Sequence, residues 1–167
     1  MAVTDDIVAT WRRPRRVMRK LLEPGRREDR AIMFLMIACL LIFVGQWPRL
    51  QREALLDPSV PFDARVGGAL MGIILLLPLF AYAIAALSHL IARLFGGRGS
   101  WYSARLAFFW TLLASAPATL LFGLVSGFIG PGPATSLVGG LALAAILTIW
   151  GLTLYEAERA PEGPVAP

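Results

Sequence analysis

The sequence predicts an all-α integral membrane bundle of about four transmembrane helices, preceded by an amphipathic helix at the membrane surface. Three observations carry this. Hydrophobic residues make up 57% of the chain and the mean hydropathy is +0.66, against about 45–50% apolar in soluble domains. The apolar residues fall into four stretches, 31–47, 66–94, 106–129 and 136–155, whose only Asp, Glu, Lys or Arg is Arg93 near one end. The 16 cations, all but one of them arginine, crowd towards the N-terminus rather than spreading over a surface.

Residues 1–30 form a basic segment. Within it "PRRVMRKLL" predicts a helix over 14–22, begun by Pro14, whose fixed φ suits a first helical turn, and stopped by Glu23-Pro24-Gly25. Val17, Met18, Leu21 and Leu22 share one face and Arg15, Arg16, Arg19 and Lys20 the other. That is the pattern of a helix lying in the interface of an anionic leaflet, each basic residue adding about 1 kcal/mol of attraction. Nucleic acid is not the expected partner, because the spans already hold the segment at a membrane and the apolar face has no role on a duplex.

A helix needs about 20 apolar residues to cross roughly 30 Å of hydrocarbon, so the last three stretches suffice and 31–47 needs Asp29 and Arg30 to extend it. The first stretch follows a long charged segment and precedes no small-residue cleavage site, so it reads as a retained span and not a secretory signal. Nine cations, Arg12 to Arg30, precede it; the connection 48–65 balances three arginines with Glu53, Asp57 and Asp63; the next connection is flanked by Arg93, Arg98 and Arg105 without an acid; the last has no charge. Lys and Arg are retained on the cytoplasmic side, so both termini are expected in the cytoplasm. Residues 156–167 are expected to form a disordered tail.

The second and third stretches meet at "LFGGRGSWYSARLAFFW", residues 94–110. It lacks the Lys and the preceding strand of a phosphate-binding loop and reads as a turn. Gly96, Gly97 and Gly99 are expected to supply positive φ, Ser100 or Ser103 to cap the third span, and Trp101 and Tyr102 to sit at headgroup level. Arg98 beside a free helix N-terminus is a candidate for holding a lipid phosphate, alongside Arg15, Arg16, Arg19 and Lys20. Small residues spaced by four, Gly68 and Gly72, Gly123 and Gly127, and Ser136, Gly140 and Ala144, let helix backbones approach closely in lipid. They are expected to pack the outer ends of spans two to four or to form a dimer face. Pro78 and Pro117 are expected to kink their helices.

Reactive constellations are scarce. His89 is the single ionisable residue well inside a span and so the candidate for an intramembrane function. It has no second axial ligand in the chain for a haem, although two copies could supply one each. Ser126 in "GLVSGF" lies roughly 15–20 Å from His89 in depth, which rules out a dyad. With one cysteine, Cys39, no intrachain disulfide forms, and neither metal-ligand clusters nor paired carboxylates are present. No cofactor and no enzymatic activity are expected.

The basic proline-started helix, a long second span ending "LIARLFGGRGSWYSA" and a third opening "LAFFWTLLASAP" resemble the Yip-type (Ypt-interacting protein, "YIP-one" domain) membrane family over about residues 10–155. The resemblance implies a small multi-pass membrane protein; eukaryotic members are adaptors that bind Rab-type GTPases. This chain has four readable spans where five are usual, and a shorter N-terminal region. Its arginine-rich, lysine-poor composition points to the bacterial branch and the cytoplasmic (inner) membrane. The expected role is therefore a non-enzymatic protein that organises anionic lipid or serves as an accessory or scaffold subunit, with membrane lipids and a membrane protein or a second copy of itself as partners. The alternative is a small oligomeric transporter or channel component, with His89 lining the path.

Overall fold

The computed structural model describes residues 3–159, and every regular element among them is helical. Two short helices, α1 (Val3–Arg12) and α2 (Pro14–Leu22), lead into the long α3 (Glu28–Leu56). Next α4 (Phe62–Met71), a π-helical turn (Gly72–Leu76) and α5 (Leu77–Leu94) run on as one 33-residue helix. The pair α6 (Trp101–Ala114) and α7 (Ala116–Phe128) is bent by 44°, and α8 (Pro133–Arg159) completes the bundle. Three of these helices are long and apolar enough to cross a membrane, or four where the bent pair is counted as one broken span.

Both prolines expected to kink their helices mark irregularities. Pro78 has no N–H for the carbonyl four residues back, and the wider π turn stands immediately before it. Pro117 is the second residue of α7, two residues past the break at Ser115, whose ψ is 0°. The first span is longer than its apolar stretch: α3 continues past Trp47, through Pro48, to Leu56.

The core is built around α6. Eleven of its 14 residues are buried, with Leu106, Phe109, Trp110 and Leu113 at 1% exposure or less, because α1, α3, α5 and α8 all pack on it. A helix enclosed on every side is apolar all round and shows no amphipathic stripe. Its rings make edge-on contacts with three neighbours: Trp110 with Phe34 at 5.0 Å, Phe109 with Tyr82 at 5.0 Å and Phe108 with Trp150 at 5.2 Å. Several polar side chains inside are satisfied locally, as where the Thr111 hydroxyl donates to Ala107 O and lies 3.1 Å from the Thr153 hydroxyl, whereas the buried Ser115 hydroxyl and Trp150 indole N–H have no hydrogen-bond partner among the described residues.

The N-terminal pair departs from expectation. The apolar face of α2 does not lie on a membrane surface: Val17, Met18 and Leu21 are 4%, 0% and 5% exposed, inside the core, where α2 packs against α8. The helix with outward apolar residues is α1, where Val3, Val8 and Trp11 are exposed. It is pinned by the Trp110 indole, which donates to Thr10 Oγ1 at 3.1 Å, and by the Trp11 indole, which donates to Ala114 O at 2.9 Å. At the other end, the disordered tail expected from residue 156 is helical as far as Arg159, because Glu156 and Glu158 find partners and are buried. Residues 160–167 lie outside the described residues.

The glycines separate into two groups. A Cβ on Gly123 would lie 1.8 Å from Gly45 O, and one on Gly127 2.3 Å from the Pro48 ring. These two therefore hold α7 against α3, not against spans two and four. Gly68, Gly72 and Gly140 face open space, with nothing within 4 Å of an added Cβ, so they pack no helix among the described residues.

Candidate functional site

The residues of the glycine-rich connection are placed by the end of α5. Gly96 N–H donates to Arg93 O and Gly97 N–H to Ala92 O, with Gly96 at φ +85°. This is a Schellman C-cap, which needs a left-handed residue where Gly96 stands. Gly97 and Gly99 do not have positive φ; their role is close approach. A Cβ on Gly99 would lie 2.6 Å from Ala157 O, and one on Gly97 2.8 Å from a Glu158 carboxylate oxygen. The turn thus presses directly onto the last turn of α8.

That contact is polar and buried. Glu158 Oε1 lies 2.8 Å from His89 Nδ1, Oε2 accepts Gly99 N–H at 3.2 Å, and the Glu158 carbonyl accepts Arg98 N–H at 2.8 Å. His89 is 2% exposed and Glu158 6%. The imidazole also leans on the Trp101 ring, with centroids 4.7 Å apart. His89 therefore does not stand alone in a span; it clasps the C-terminal helix to the α5–α6 turn. Its partner escaped the sequence reading because Glu158 lies in a segment taken as tail, and the signal available was the isolated His89 itself.

The start of α6 is closed as well. Ser103 N–H donates to Ser100 Oγ and Ser100 N–H to Ser103 Oγ, a reciprocal capping box. The helix N-terminus expected to be free for a phosphate is thus occupied by its own serines. Trp101 is half-exposed, whereas Tyr102 is buried and its hydroxyl donates to Arg27 O at 3.3 Å, so Tyr102 is part of the bundle and not of a headgroup belt.

Beside this clasp opens a cavity of about 550 Å³ bordered by Arg26, His89, Arg93, Arg98 and Trp101. Arg26 pairs with Glu28 at 3.2 Å. Arg93 and Arg98 pair with no carboxylate among the described residues, which leaves two guanidinium forks able to take an anion's oxygens. The other cations singled out in the sequence are differently placed. Arg19 donates twice to Glu156, at 3.0 and 2.8 Å, and Lys20 binds both oxygens of Asp6, at 2.7 and 2.8 Å. Arg15 covers the Tyr155 ring at 4.6 Å, and Arg16 borders a separate hollow between α1 and α2. Of the five, Arg98 alone lines the cavity with the clasp.

Neither a curated protein nor a solved structure matches the chain. The family model described as the Yip1 domain matches residues 8–166, which takes in α2, every span and the glycine turn with its clasp. The protein is a multi-pass membrane protein and belongs to the Yip1 domain family.

Proposed function

We propose that the protein is a non-enzymatic component of a bacterial cytoplasmic membrane that gathers anionic phospholipid at its basic, cytoplasmic end. The observation that carries this is the pair Arg93 and Arg98 on one cavity, both without a carboxylate partner among the described residues. The nine cations before the first apolar stretch and the absence of charge in the connection before α8 support that orientation.

The test is lipid selection by the full chain. In nanodiscs of mixed phosphatidylglycerol and phosphatidylcholine, native mass spectrometry of the released protein is expected to show phosphatidylglycerol retained preferentially. At about 1 kcal/mol per basic residue near the surface, replacing Arg93 or Arg98 by Ala should each weaken that preference about fivefold. A wild-type chain that retains both lipids equally, or an unchanged double variant, would refute the proposal.

A further inference from the structure

A second cavity, of about 540 Å³, lies between α1, α7 and α8, away from the clasp. Its origin is the broken span. At Ser115 the helix turns, and Ala118 N–H bonds Ser115 O instead of the carbonyl of Ala114. The carbonyl released by the break is taken by the indole of Trp11, which fixes α1 across the gap. Ala118, Ala142 and Ala145 floor the gap with small side chains, and Val8, Leu121 and Leu141 stand exposed along its edges.

One cation interrupts this apolar lining. Arg12, in the last turn of α1, lines the groove, is exposed, and has no carboxylate partner among the described residues. An apolar trough with a single guanidinium at its rim is complementary to an acyl chain joined to an anionic headgroup. A packed helix is a poor occupant, since a cylinder 10–12 Å across would exhaust such a volume within about one turn.

We propose that this groove seats one acyl chain of an anionic phospholipid, with Arg12 engaging the phosphate and α1 lying over the chain. The proposal rests on the reading above that the basic end faces an anionic leaflet, but it concerns a different set of residues.

The experiment uses the full chain in nanodiscs of phosphatidylcholine doped with phosphatidylglycerol that carries a diazirine in mid-chain. After irradiation, adducts mapped by mass spectrometry are expected to concentrate on Val8, Leu121 and Leu141. The same diazirine chain on phosphatidylcholine should label them about fivefold less, and Arg12→Ala should bring the two lipids level. Filling the floor with Ala118→Leu and Ala145→Leu should remove the adducts for both lipids; Arg12→Ala, an exposed change, keeps the test open if that variant does not fold. Adducts spread equally onto outward residues of α5 such as Leu79 and Phe80, a headgroup preference that survives Arg12→Ala, or crosslinks to a second copy at these positions would each overturn the assignment. The Arg93→Ala, Arg98→Ala variant should keep the groove adducts. Its outcome decides the cavity reading, and that of Arg12→Ala decides the groove.

Discussion

Gly123→Ala is predicted to be among the more damaging single-methyl additions in this protein. The new Cβ would sit 1.8 Å from Gly45 O, where ordinary contact begins at 3.4 Å, and the atoms it meets are backbone: Gly45 O, C and Cα. No rotamer change relieves that clash, so α3 and α7 must move apart along a crossing whose attraction is close packing. Overpacking a filled site costs about 1–3 kcal/mol, and a rigid backbone opponent places this case at the upper end. Gly45→Ala, on the facing helix, meets the Leu120 side chain at 3.3 Å, which can shift, and should cost less than about 1 kcal/mol. Gly140→Ala meets nothing within 4 Å and should be neutral or stabilising, by up to about 1 kcal/mol, through helix propensity. Thermal unfolding in one detergent, read by near-UV circular dichroism, ranks the three. At about 2–4 °C per kcal/mol for a chain of this size, Gly123→Ala should fall about 5–10 °C below wild type while Gly140→Ala stays level or rises. Equal midpoints for Gly123→Ala and Gly140→Ala would refute the reasoning, since the variants differ in what the added methyl touches.

Three further perturbations test the clasp, the cap and the outer loop. Removing one member of the buried pair, with Glu158→Gln or His89→Ala, strands the other, and each should cost about 1–3 kcal/mol in the same unfolding assay; the double variant should cost less than their sum. Ser100→Ala breaks the capping box of α6 and should cost about 1 kcal/mol, with faster amide exchange confined to the helix start. In the loop after α3, the Ser59 hydroxyl, then the Ser59 N–H and Arg65, hold the Asp57 carboxyl below its ordinary value of 3.8. A lowered folded-state value means that this contribution is complete above 3.8 and is lost as pH falls through the folded value. Protection of the amides around residues 57–65, measured relative to their intrinsic exchange rates, should therefore fall in acid, and Asp57→Asn should remove that pH dependence; an unchanged acid response in the variant would exclude Asp57 as its source.

Much of the architecture was legible because spans announce themselves by length and lack of charge, and the glycine turn by its punctuation. The positive φ of Gly96 was legible in sequence; the role of Gly97 and Gly99 was not, since close approach to Ala157 and Glu158 is a contact across about sixty residues. The same limit hid the pairing of the small-residue stripes. Spacing shows that Gly123 and Gly127 share a face, but the opposing surface, Gly45 and Pro48, belongs to a helix whose apolar stretch appeared to end at Trp47. The enclosed position of α6 was equally hidden, because an apolar segment reads the same whether lipid or protein surrounds it.

The misplacement of α2 has the same physical root and a functional consequence. An apolar stripe opposed by arginines satisfies a lipid interface and the end of a helical bundle equally well. Here the choice is made by partners remote in sequence: Glu156 for Arg19, Tyr155 for Arg15, and Asp6, across the corner at Arg13, for Lys20. With its apolar face in the core and three of its cations engaged, α2 fastens α1 and α8 together, and of the two helices it is α1 that turns apolar residues outward. The exposed apolar residues of the N-terminal pair lie on α1, and the cations on which the two lipid proposals rest, Arg12 beside the groove and Arg93 and Arg98 beside the clasp, lie outside α2; on α2, Arg16 borders a separate hollow, also without a carboxylate partner among the described residues. A search for lipid contacts directed by the amphipathic pattern alone would therefore mutate Arg15, Arg19 and Lys20 and measure lost stability, whereas Arg12, Arg93 and Arg98 are the positions at which binding should change while the fold persists.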